Sequence, residues 1–424
     1  MKDLIARTND FLREISMHPE QTDLQSVTDA CVLEMEKGLE GTNSSIKMIP
    51  TYISSNGTPP NNVPAITVDA GGTNLRVALV TFIEGRPVIS NMNVYPIPGS
   101  MGEISADTFF NEIADKILPL TDVSDKIGFC FSYPAEIFPD RDGKILRLSK
   151  GVLVKGAENL VIGQELLKKL REKGIKKDFK FTLINDTVAC MMGGAAEFPV
   201  TAFDGTCGLI LGTGFNTCYL EKGEKIAKLV QADDMIINCE TGNFSKVFRG
   251  KADEMTDLAS ENPGIGFCEK MLSGAYLGKV ITNTAILAAK KNLLSEAFAA
   301  IEPAFSLPEL DGFLRGVDNR VSQMCLARDG AVLNEIIDKS FERAAKIVCI
   351  VIAALCIKCD GGKSSEQPFC VVAEGSTFYK SLLLRDKLDR YVKDYIQEEL
   401  SRHITFRGAD HLTLTGSALS ALIN

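Results

Sequence analysis

The sequence contains no tryptophan, and its 424 residues include only three histidines, which lie far apart at His18, His403 and His411. A mechanism that uses histidine as a base or as a metal ligand therefore has no support. The sequence also lacks a long run of lysine and arginine, and its net charge at pH 7 is -9. Because binding to nucleic acid or to an anionic membrane surface needs a basic patch, we expect neither partner.

No apolar stretch is long enough to cross a bilayer. The most apolar run, from Ile347 to Ile357, has 11 residues, whereas a membrane helix needs roughly 20, so the run predicts a buried helix. The segment from Met1 to Ile15 mixes charged and apolar residues at helical spacing, which predicts a surface helix rather than a targeting segment. Twelve cysteines in such a chain are typical of reduced thiols, and we expect a cytoplasmic protein.

Two short patterns resemble known sites but fail in detail. Residues 360–365 read DGGKSS, like half of a phosphate-binding P-loop, but Ile357 stands where the first glycine belongs. Cys356 and Cys359 form a single CxxC pair without a second pair or a nearby histidine. Two packed thiols are therefore favoured over a zinc site.

Strand and helix patterns alternate along the first half of the chain. From Pro64, the segments PAITVDA, LRVALVTF and VISNMNVYPI, separated by turns, predict antiparallel strands. A helix near 108–118, a strand in KIGFCFSYP and a strand in FTLIND that leads into a helix follow. The strand and glycine-turn pattern recurs from Thr206, which favours two related α/β lobes. The second half reads as mainly helical, with strands predicted at FCVVAEGS and near HLTLTGS.

The first glycine turn, from Asp69 to Arg76, reads DAGGTNLR. Glycine allows a phosphate to approach the backbone N–H groups, and the side chains of Thr73 and Asn74 add donors. A carboxylate at Asp69 would repel phosphates unless a cation such as Mg²⁺ lay between them. The turn alone equally fits a plain hairpin in which Asp69 is a turn residue.

Two other segments carry polar residues next to apolar strands. The turn from Gly212 to Asn216 reads GTGFN, and on its own it favours a tight turn over a phosphate site. Asn185 and Asp186 follow an apolar strand and precede a helix, at the edge where open α/β sheets bind ligands. An aspartate in that position also commonly caps the helix. By themselves, Glu240 and Glu269 read as solvated carboxylates, Ser132 as a loop hydroxyl and Lys150 as a surface amine.

Eight blocks in order resemble the hexokinase family: VDAGGTNLR, GFCFSYPAEI, SKG, LINDTVA, LILGTGFNTCYLE, INCETGNF, NPGIGFCEKMLSGAYLG and VVAEGS. The resemblance runs from about Val32 to Ser376. It implies an α/β, two-lobed, actin-like (ribonuclease H-like) fold with a cleft between the lobes. It also implies a small lobe at 64–189 and a large lobe at 1–63 and 190–424, with C-terminal residues packing back on the small lobe.

The resemblance assigns roles to individual residues. It implies ATP and Mg²⁺ as cofactors, with Asp186 and Lys150 as the catalytic residues. Asp69 and Asp186 would hold Mg²⁺ through water. The hexose contacts would be Ser132, Ser149, Lys150, Asn185, Asp186, Asn216, Glu240 and Glu269. The nucleotide contacts would be Asp69, Gly71, Gly72, Thr73, Asn74, Arg76, Gly212, Thr213, Gly214, Gly375 and Ser376.

The expected function is therefore phosphorylation of a hexose at its 6-hydroxyl. Without tryptophan to stack on a sugar face, polar side chains would read the hydroxyls. The resemblance leaves open glucose, fructose or mannose as acceptor and a monomer or a homodimer as assembly. One alternative is a catalytically quiet sugar sensor, although a sensor would be free to lose Asp186 and Lys150. A second is another actin-like ATPase or acyl kinase, which the sugar-facing Asn, Asp and Glu set disfavours.

Overall fold

A computed structural model describes residues 2–54, 57–148 and 151–424 of the chain. It divides into two compact units. Unit 1 comprises Met1–Lys47, Ile210–Asn216 and Glu240–Thr405, whereas unit 2 comprises Met48–Leu209, Thr217–Cys239 and Phe406–Asn424. The mixture of strands and helices in two units confirms the predicted two-lobed α/β fold, while the lobe boundaries expected from the sequence stay a prediction.

The α-helices are distributed over both units. In chain order they are α1 Lys2–Glu14, α2 Leu24–Glu40, α3 Ala106–Ile117, α4 Ile162–Glu172, α5 Asp186–Glu197, α6 Lys251–Leu258, α7 Phe267–Leu272, α8 Leu277–Lys290, α9 Leu307–Leu314, α10 Arg320–Met324, α11 Asp329–Lys358, α12 Ser376–Lys380, α13 Leu384–Tyr391 and α14 Leu412–Ile423. Short 3-10 helices lie at Pro19–Gln21, Leu118–Leu120, Val200–Ala202, Gly223–Lys225, Thr241–Asn243 and Glu296–Phe298, and a π-helix lies at Val392–Glu399.

Most of the strands lie in unit 2. In chain order the strands are β1 Ile49–Pro50, β2 Pro64–Ala70, β3 Asn74–Ile83, β4 Arg86–Pro96, β5 Ile104–Ser105, β6 Lys126–Phe131, β7 Ala135–Ile137, β8 Gly143–Ile145, β9 Val154–Lys155, β10 Lys180–Ile184, β11 Thr206–Leu211, β12 Phe215–Glu221, β13 Met235–Asn238, β14 Phe369–Glu374 and β15 Ile404–Arg407.

The main sheet of unit 2 has five strands in the order β10-β6-β2-β3-β4. The hairpins β2–β3 and β3–β4 are antiparallel, as the sequence predicted, whereas β6 and β10 run parallel to β2. Successive side chains of a strand face opposite sides of the sheet. Ile66 and Val68 accordingly join an apolar core with residues of α3 and α4, whereas Ala65 joins a second core with residues of α5 and α14.

The segment HLTLTGS forms a helix, so the prediction of a strand there is wrong. Its alternating leucines and β-branched threonines favour a strand, but α14 packs against β2, β6 and α5 in unit 2. A Cβ atom on Gly416 would lie 1.8 Å from the carbonyl oxygen of Ala189 in α5. The small residues of the segment therefore allow a close helix–helix approach, and this packing overrides the local preference.

The core of unit 1 is built around α11, which has 30 residues. This helix packs against α1, α2, α7, α8 and α13. The run from Ile347 to Ile357 lies within it and is almost entirely buried, which confirms the prediction of a buried helix. Of the helices in the described ranges, none combines the length and the hydropathy of a membrane span.

Candidate active site

Three parallel strands of unit 2 bring predicted site residues to the same edge of the sheet. Ala70 at the end of β2 pairs with Phe131 at the end of β6, and Cys130 pairs with the last residue of β10. Asp69 lies on β2, Ser132 follows β6, and Asn185 and Asp186 follow β10. The Ser132 N–H donates to the Ala70 carbonyl across 3.2 Å, which extends the pairing past the strand.

Asp69 is a buried carboxylate, with 6% of its surface exposed. It pairs with Arg76 across the β2–β3 hairpin, and the Arg76 Nη1 atom lies 3.3 Å from its Oδ2 atom. The Thr413 hydroxyl of α14 donates to the same oxygen across 3.0 Å. Burial raises the pKa of Asp69, and the neighbouring Asp186 carboxylate adds to that rise, while Arg76 and hydrogen bonds from Thr413 and the Cys130 thiol oppose it. The two carboxylates are thus close enough to interact electrostatically.

The glycine turn after Asp69 is closed by hydrogen bonds. The Gly71 N–H donates to the Asn74 carbonyl across 3.0 Å, and the Tyr133 hydroxyl donates to the Gly71 carbonyl across 2.7 Å. Burial and the Asp69 carboxylate raise the pKa of Tyr133, so its hydroxyl keeps its proton and remains a donor. Thr73 and Asn74 are exposed, and Gly72 is half-buried. A firmly held turn with accessible donors fits a phosphate site better than it fits a plain hairpin.

The helix cap at the start of α5 is Asn185, not Asp186. The Asn185 Oδ1 atom accepts a hydrogen bond from the Thr187 N–H across 2.9 Å. Asp186 is the first helical residue, and its Oδ1 atom also accepts from the Thr187 N–H, across 2.8 Å. Asp186 remains half-buried rather than enclosed. Since Asn185 already caps the helix, capping alone does not account for the Asp186 carboxylate.

In unit 1, the Gly212–Gly214 turn lies against the predicted adenosine residues. The Gly212 N–H donates to the Gly214 carbonyl across 3.0 Å. A Cβ atom on Gly212 would lie 3.4 Å from the Cα atom of Gly375 and 3.6 Å from the backbone nitrogen of Ser376. Gly375 has φ 123° and leaves no space for a side chain, because a Cβ atom there would lie 2.2 Å from the Leu211 carbonyl oxygen.

The polar residues expected to read a sugar in unit 1 surround the start of β12. The Glu269 Oε2 atom accepts from the Phe215 N–H across 2.9 Å, and the Asn216 Oδ1 atom accepts from the Thr241 N–H across 3.3 Å. Glu240, in the left-handed conformation with φ 59°, immediately precedes Thr241. Glu240 and Glu269 are both half-buried. The Glu269 carboxylate is therefore held in place by a backbone N–H while remaining partly exposed.

Two further predicted site residues, Ser149 and Lys150, lie outside the described residues. The structure also reveals contacts to the turns that sequence reasoning missed, from Tyr133, Thr377 and Thr413. Thr377 donates its hydroxyl hydrogen to the Gly212 carbonyl across 2.9 Å. Tyr133 could have been suspected, since it follows the predicted Ser132. Thr377 likewise follows the predicted Ser376, whereas nothing next to Thr413 indicates a contact with the turn after Asp69.

No three or more His, Cys, Asp or Glu side chains in the described ranges are grouped to hold a metal ion by themselves. Asp69 and Asp186 nonetheless form a pair of interacting carboxylates. Oxygen ligands of this kind suit Mg²⁺, which binds proteins through one or two carboxylates and completes its shell with water and substrate phosphates. The residues therefore fit magnesium delivered with a nucleotide.

Comparisons with known proteins agree over nearly the whole chain. Two family models, both described as hexokinase, match residues 8–196 and 206–423. Hexokinase-1 of Schizosaccharomyces pombe is 28% identical over 432 residues, covering 94% of this chain and 87% of that protein. Rattus norvegicus hexokinase-3 is 33% identical over 289 residues, which are 65% of this chain and only 31% of the rat protein. A Schistosoma mansoni hexokinase structure complexed with glucose gives a TM-score of 0.77 at 25% identity, covering 99% of both chains.

Proposed function

Because the chain belongs to the hexokinase family, we propose that it transfers the terminal phosphoryl group of ATP to the 6-hydroxyl of a hexose. The product would be a hexose 6-phosphate. The similar Schistosoma mansoni structure holds glucose, so glucose is the foremost candidate acceptor. Fructose and mannose are the other candidates.

The observation that carries the proposal is the shared edge of β2, β6 and β10. The register of these parallel strands brings the turn after Asp69, the segment with Ser132, and the segment with Asn185 and Asp186 to the same edge of the sheet, in that order across it. Phosphoryl transfer depends mainly on positioning and on electrostatic stabilisation. An edge that carries a phosphate turn and a carboxylate next to it meets both requirements.

The hexose would be recognised by polar side chains. A sugar hydroxyl both donates and accepts hydrogen bonds, so amides and carboxylates can read several hydroxyls at once. Missing hydroxyls would leave such polar groups unpaired, which penalises the wrong sugar. The contacts proposed on the basis of the family resemblance are Ser132, Ser149, Lys150, Asn185, Asp186, Asn216, Glu240 and Glu269.

Asp186 is proposed to take the proton of the 6-hydroxyl as that oxygen attacks the terminal phosphate. It lies in the first turn of α5, where the positive end of the helix dipole favours a charged carboxylate. Its hydrogen bond from the Thr187 N–H fixes one oxygen and so orients the group. The role of Lys150, which would stabilise negative charge on the transferring phosphoryl group, is proposed from the sequence alone.

Asp69 and Asp186 are proposed to hold Mg²⁺ through water molecules. Bound magnesium would neutralise charge on the phosphate oxygens. The Gly71–Asn74 turn with Arg76, and the Gly212–Gly214 turn, are the phosphate contacts proposed on the basis of the family resemblance. Gly375 and Ser376, which lie against Gly212, would be next to the adenosine.

Two properties of the whole protein are also proposals. None of the twelve cysteines forms a disulfide in the described part of the chain, which suits a reducing compartment such as the cytoplasm. We propose a monomer or a homodimer, which light scattering on the purified protein would distinguish. Fractionation of cells that express the protein would test its location.

A coupled assay with purified protein, MgATP and a panel of glucose, fructose and mannose tests the proposed activity. We expect phosphorylation of at least one hexose, with glucose preferred. Calorimetric sugar binding without turnover would instead indicate a sugar sensor. Turnover with none of the three sugars, and binding of none, would overturn the assignment to hexoses altogether.

A further inference from the structure

Thr413 reaches the candidate metal-binding carboxylate from a distant part of the sequence. It is the second residue of α14, and its hydroxyl donates to the Oδ2 atom of Asp69 across 3.0 Å. Thr413 is 4% exposed and Asp69 is 6% exposed, so water competes little for either group. A hydrogen bond to a charged acceptor in such surroundings is stronger than one between neutral groups.

Thr413 uses its hydroxyl differently from several other hydroxyl residues of the helices. The hydroxyls of Thr256, Thr282, Thr284 and Ser417 all donate to the carbonyl four residues earlier in their own helix. Thr413 lies in the first turn of α14, so the residue four positions earlier precedes the helix. Its hydroxyl is therefore available for a partner outside the helix.

Arg76 also bonds Asp69, but it is a less fixed partner. Its side chain is 35% exposed and its Nη1 atom lies 3.3 Å from Oδ2. Thr413 is instead anchored in the helix, where its own carbonyl accepts from the Ser417 hydroxyl across 2.6 Å. If Arg76 turns towards bound phosphates, Thr413 still holds Asp69.

We propose that Thr413 is a positioning residue that fixes the Asp69 carboxylate in the orientation needed to bind the magnesium of the nucleotide. The proposal rests on the proposed function, because it takes a magnesium nucleotide as the ligand near Asp69. It adds a donor on α14 to the residues expected from the sequence. The Asp186 carboxylate interacts electrostatically with Asp69, and the proposed cation would be held by both groups. Because a cation needs its ligands in a fixed orientation, a freely rotating Asp69 would hold it less well.

The test compares ADP binding with and without Mg²⁺ by calorimetry in the wild-type protein and in Thr413→Val, which keeps the shape of the side chain but removes the donor. We expect magnesium to strengthen ADP binding in the wild type. In the variant, this gain should shrink by about tenfold or more, the usual effect of losing a hydrogen bond to a charged group. The KM for MgATP should rise while the KM for hexose changes little.

Two further variants separate positioning from packing. Thr413→Ser keeps the hydroxyl and should retain most of the magnesium gain. Thr415→Val makes the same change at another buried hydroxyl of α14, which has no hydrogen-bond partner in the described part of the chain, and should leave the gain unchanged. If Thr413→Val does not fold, Thr413→Ala takes its place in the same comparison.

An unchanged magnesium gain in Thr413→Val, or an equal loss in Thr413→Ser, would overturn the role of Thr413. So would an equal weakening of ADP binding with and without magnesium, because that pattern indicates general damage to the nucleotide site. These outcomes leave the proposed activity intact when the wild type still phosphorylates a hexose. The absence of hexose phosphorylation in the wild type would instead contradict the proposed function itself.

Discussion

At the scale of single residues, Asp186 can be changed with little effect on the fold. Asn185 caps α5, so Asp186→Asn should retain the helix and cost only ~0.3–1 kcal/mol from the lost charge at its N-terminus. Removing the base should lower kcat by about 10²–10⁴-fold. Steady-state kinetics, with calorimetry for hexose affinity, would measure both effects.

A matched control for this variant is Asp178→Asn, which removes the charge of an exposed carboxylate in the same unit. The control should keep wild-type kcat. Near-normal turnover in Asp186→Asn would show that the proton is taken by another group. A large loss of hexose affinity with unchanged kcat would instead make Asp186 a binding residue.

Tyr133 allows a second test with a single atom removed. In Tyr133→Phe the Gly71 carbonyl loses the donor that now lies 2.7 Å away. We expect a loss of about 1 kcal/mol in the free energy of unfolding and a severalfold rise in the KM for MgATP. Urea unfolding and initial-rate kinetics check the two effects.

The control for Tyr133→Phe is Tyr95→Phe, since Tyr95 lies on β4 with its ring 4.7 Å from the Lys116 ammonium. This contact uses the ring rather than the hydroxyl, so the control should keep the wild-type KM. Equal KM values for the wild type and Tyr133→Phe would mean that the turn holds its shape without the tyrosine.

At the scale of elements, the packing of α14 on α5 should depend on one glycine. A Cβ atom on Gly416 would lie 1.8 Å from the Ala189 carbonyl oxygen and 2.7 Å from the Gly193 nitrogen, both backbone atoms of α5. Gly416→Ala should therefore destabilise the protein by about 1–3 kcal/mol or more, even though alanine is the better helix former. The midpoint of thermal or chemical unfolding measures this change.

Glycine to alanine should have the opposite effect on stability at Gly330 of α11, where a Cβ atom would meet no atom within 4 Å. There, Gly330→Ala should stabilise the protein by ~0.5–1 kcal/mol, because glycine is the poorer helix former. If Gly416→Ala and Gly330→Ala change the free energy of unfolding in the same direction, the packing argument is contradicted.

The strands of unit 2 could be predicted because local sequence determines them. Each apolar segment from Pro64 to Pro96 ends at a turn of glycine and polar residues, and the structure has β2, β3 and β4 there. The prediction at Leu412 was wrong because alternating leucine and threonine are typical of a strand. Small residues such as Gly416 instead allow this segment to pack closely on α5 as a helix. This packing depends on α5, which lies more than 200 residues earlier in the chain.

The candidate site could be predicted where its residues are contiguous in motifs. The sequence predicted Asn185 and Asp186 as site residues because they directly follow a strand. The structure adds that Asn185 caps the helix and Asp186 does not. Thr413 could not be found in this way. Its partner Asp69 is 344 positions away, and a threonine in an apolar segment gives no local sign of such a contact.

At the scale of the whole molecule, the chain contributes three segments to each unit. Ile210–Asn216 belongs to unit 1, although the residues on both sides of it belong to unit 2. The backbone therefore passes from one unit to the other five times along the chain. The composition changes too little at these crossings for the sequence to reveal them.

The stability of the whole chain should depend on pH through His18. His18 is 8% exposed, and its Nδ1 atom accepts from the Glu20 N–H across 3.4 Å while its Nε2 atom lies 3.1 Å from the Asn9 Oδ1 atom. Burial lowers the pKa of His18 below its ordinary value of 6.5, with Arg13 and Lys339 adding to the decrease and Glu20 and Glu342 opposing it. This arrangement suits a neutral ring with its proton on Nε2.

A lowered pKa in the folded state means that the unfolded chain takes up the proton first as the pH falls. The contribution of His18 should be fully present above pH 6.5 and decline below it, at no more than ~1.4 kcal/mol per pH unit. Urea unfolding from pH 7 to 5 should therefore show a smaller decline in His18→Asn, because asparagine retains the capping acceptor without titrating in this range. The control His411→Asn changes an exposed histidine in a left-handed position that asparagine tolerates. Its free energy of unfolding should fall with pH as much as that of the wild type. If the free energy of unfolding falls equally in His18→Asn and the wild type, His18 does not contribute to the loss of stability at low pH, and carboxylates account for it.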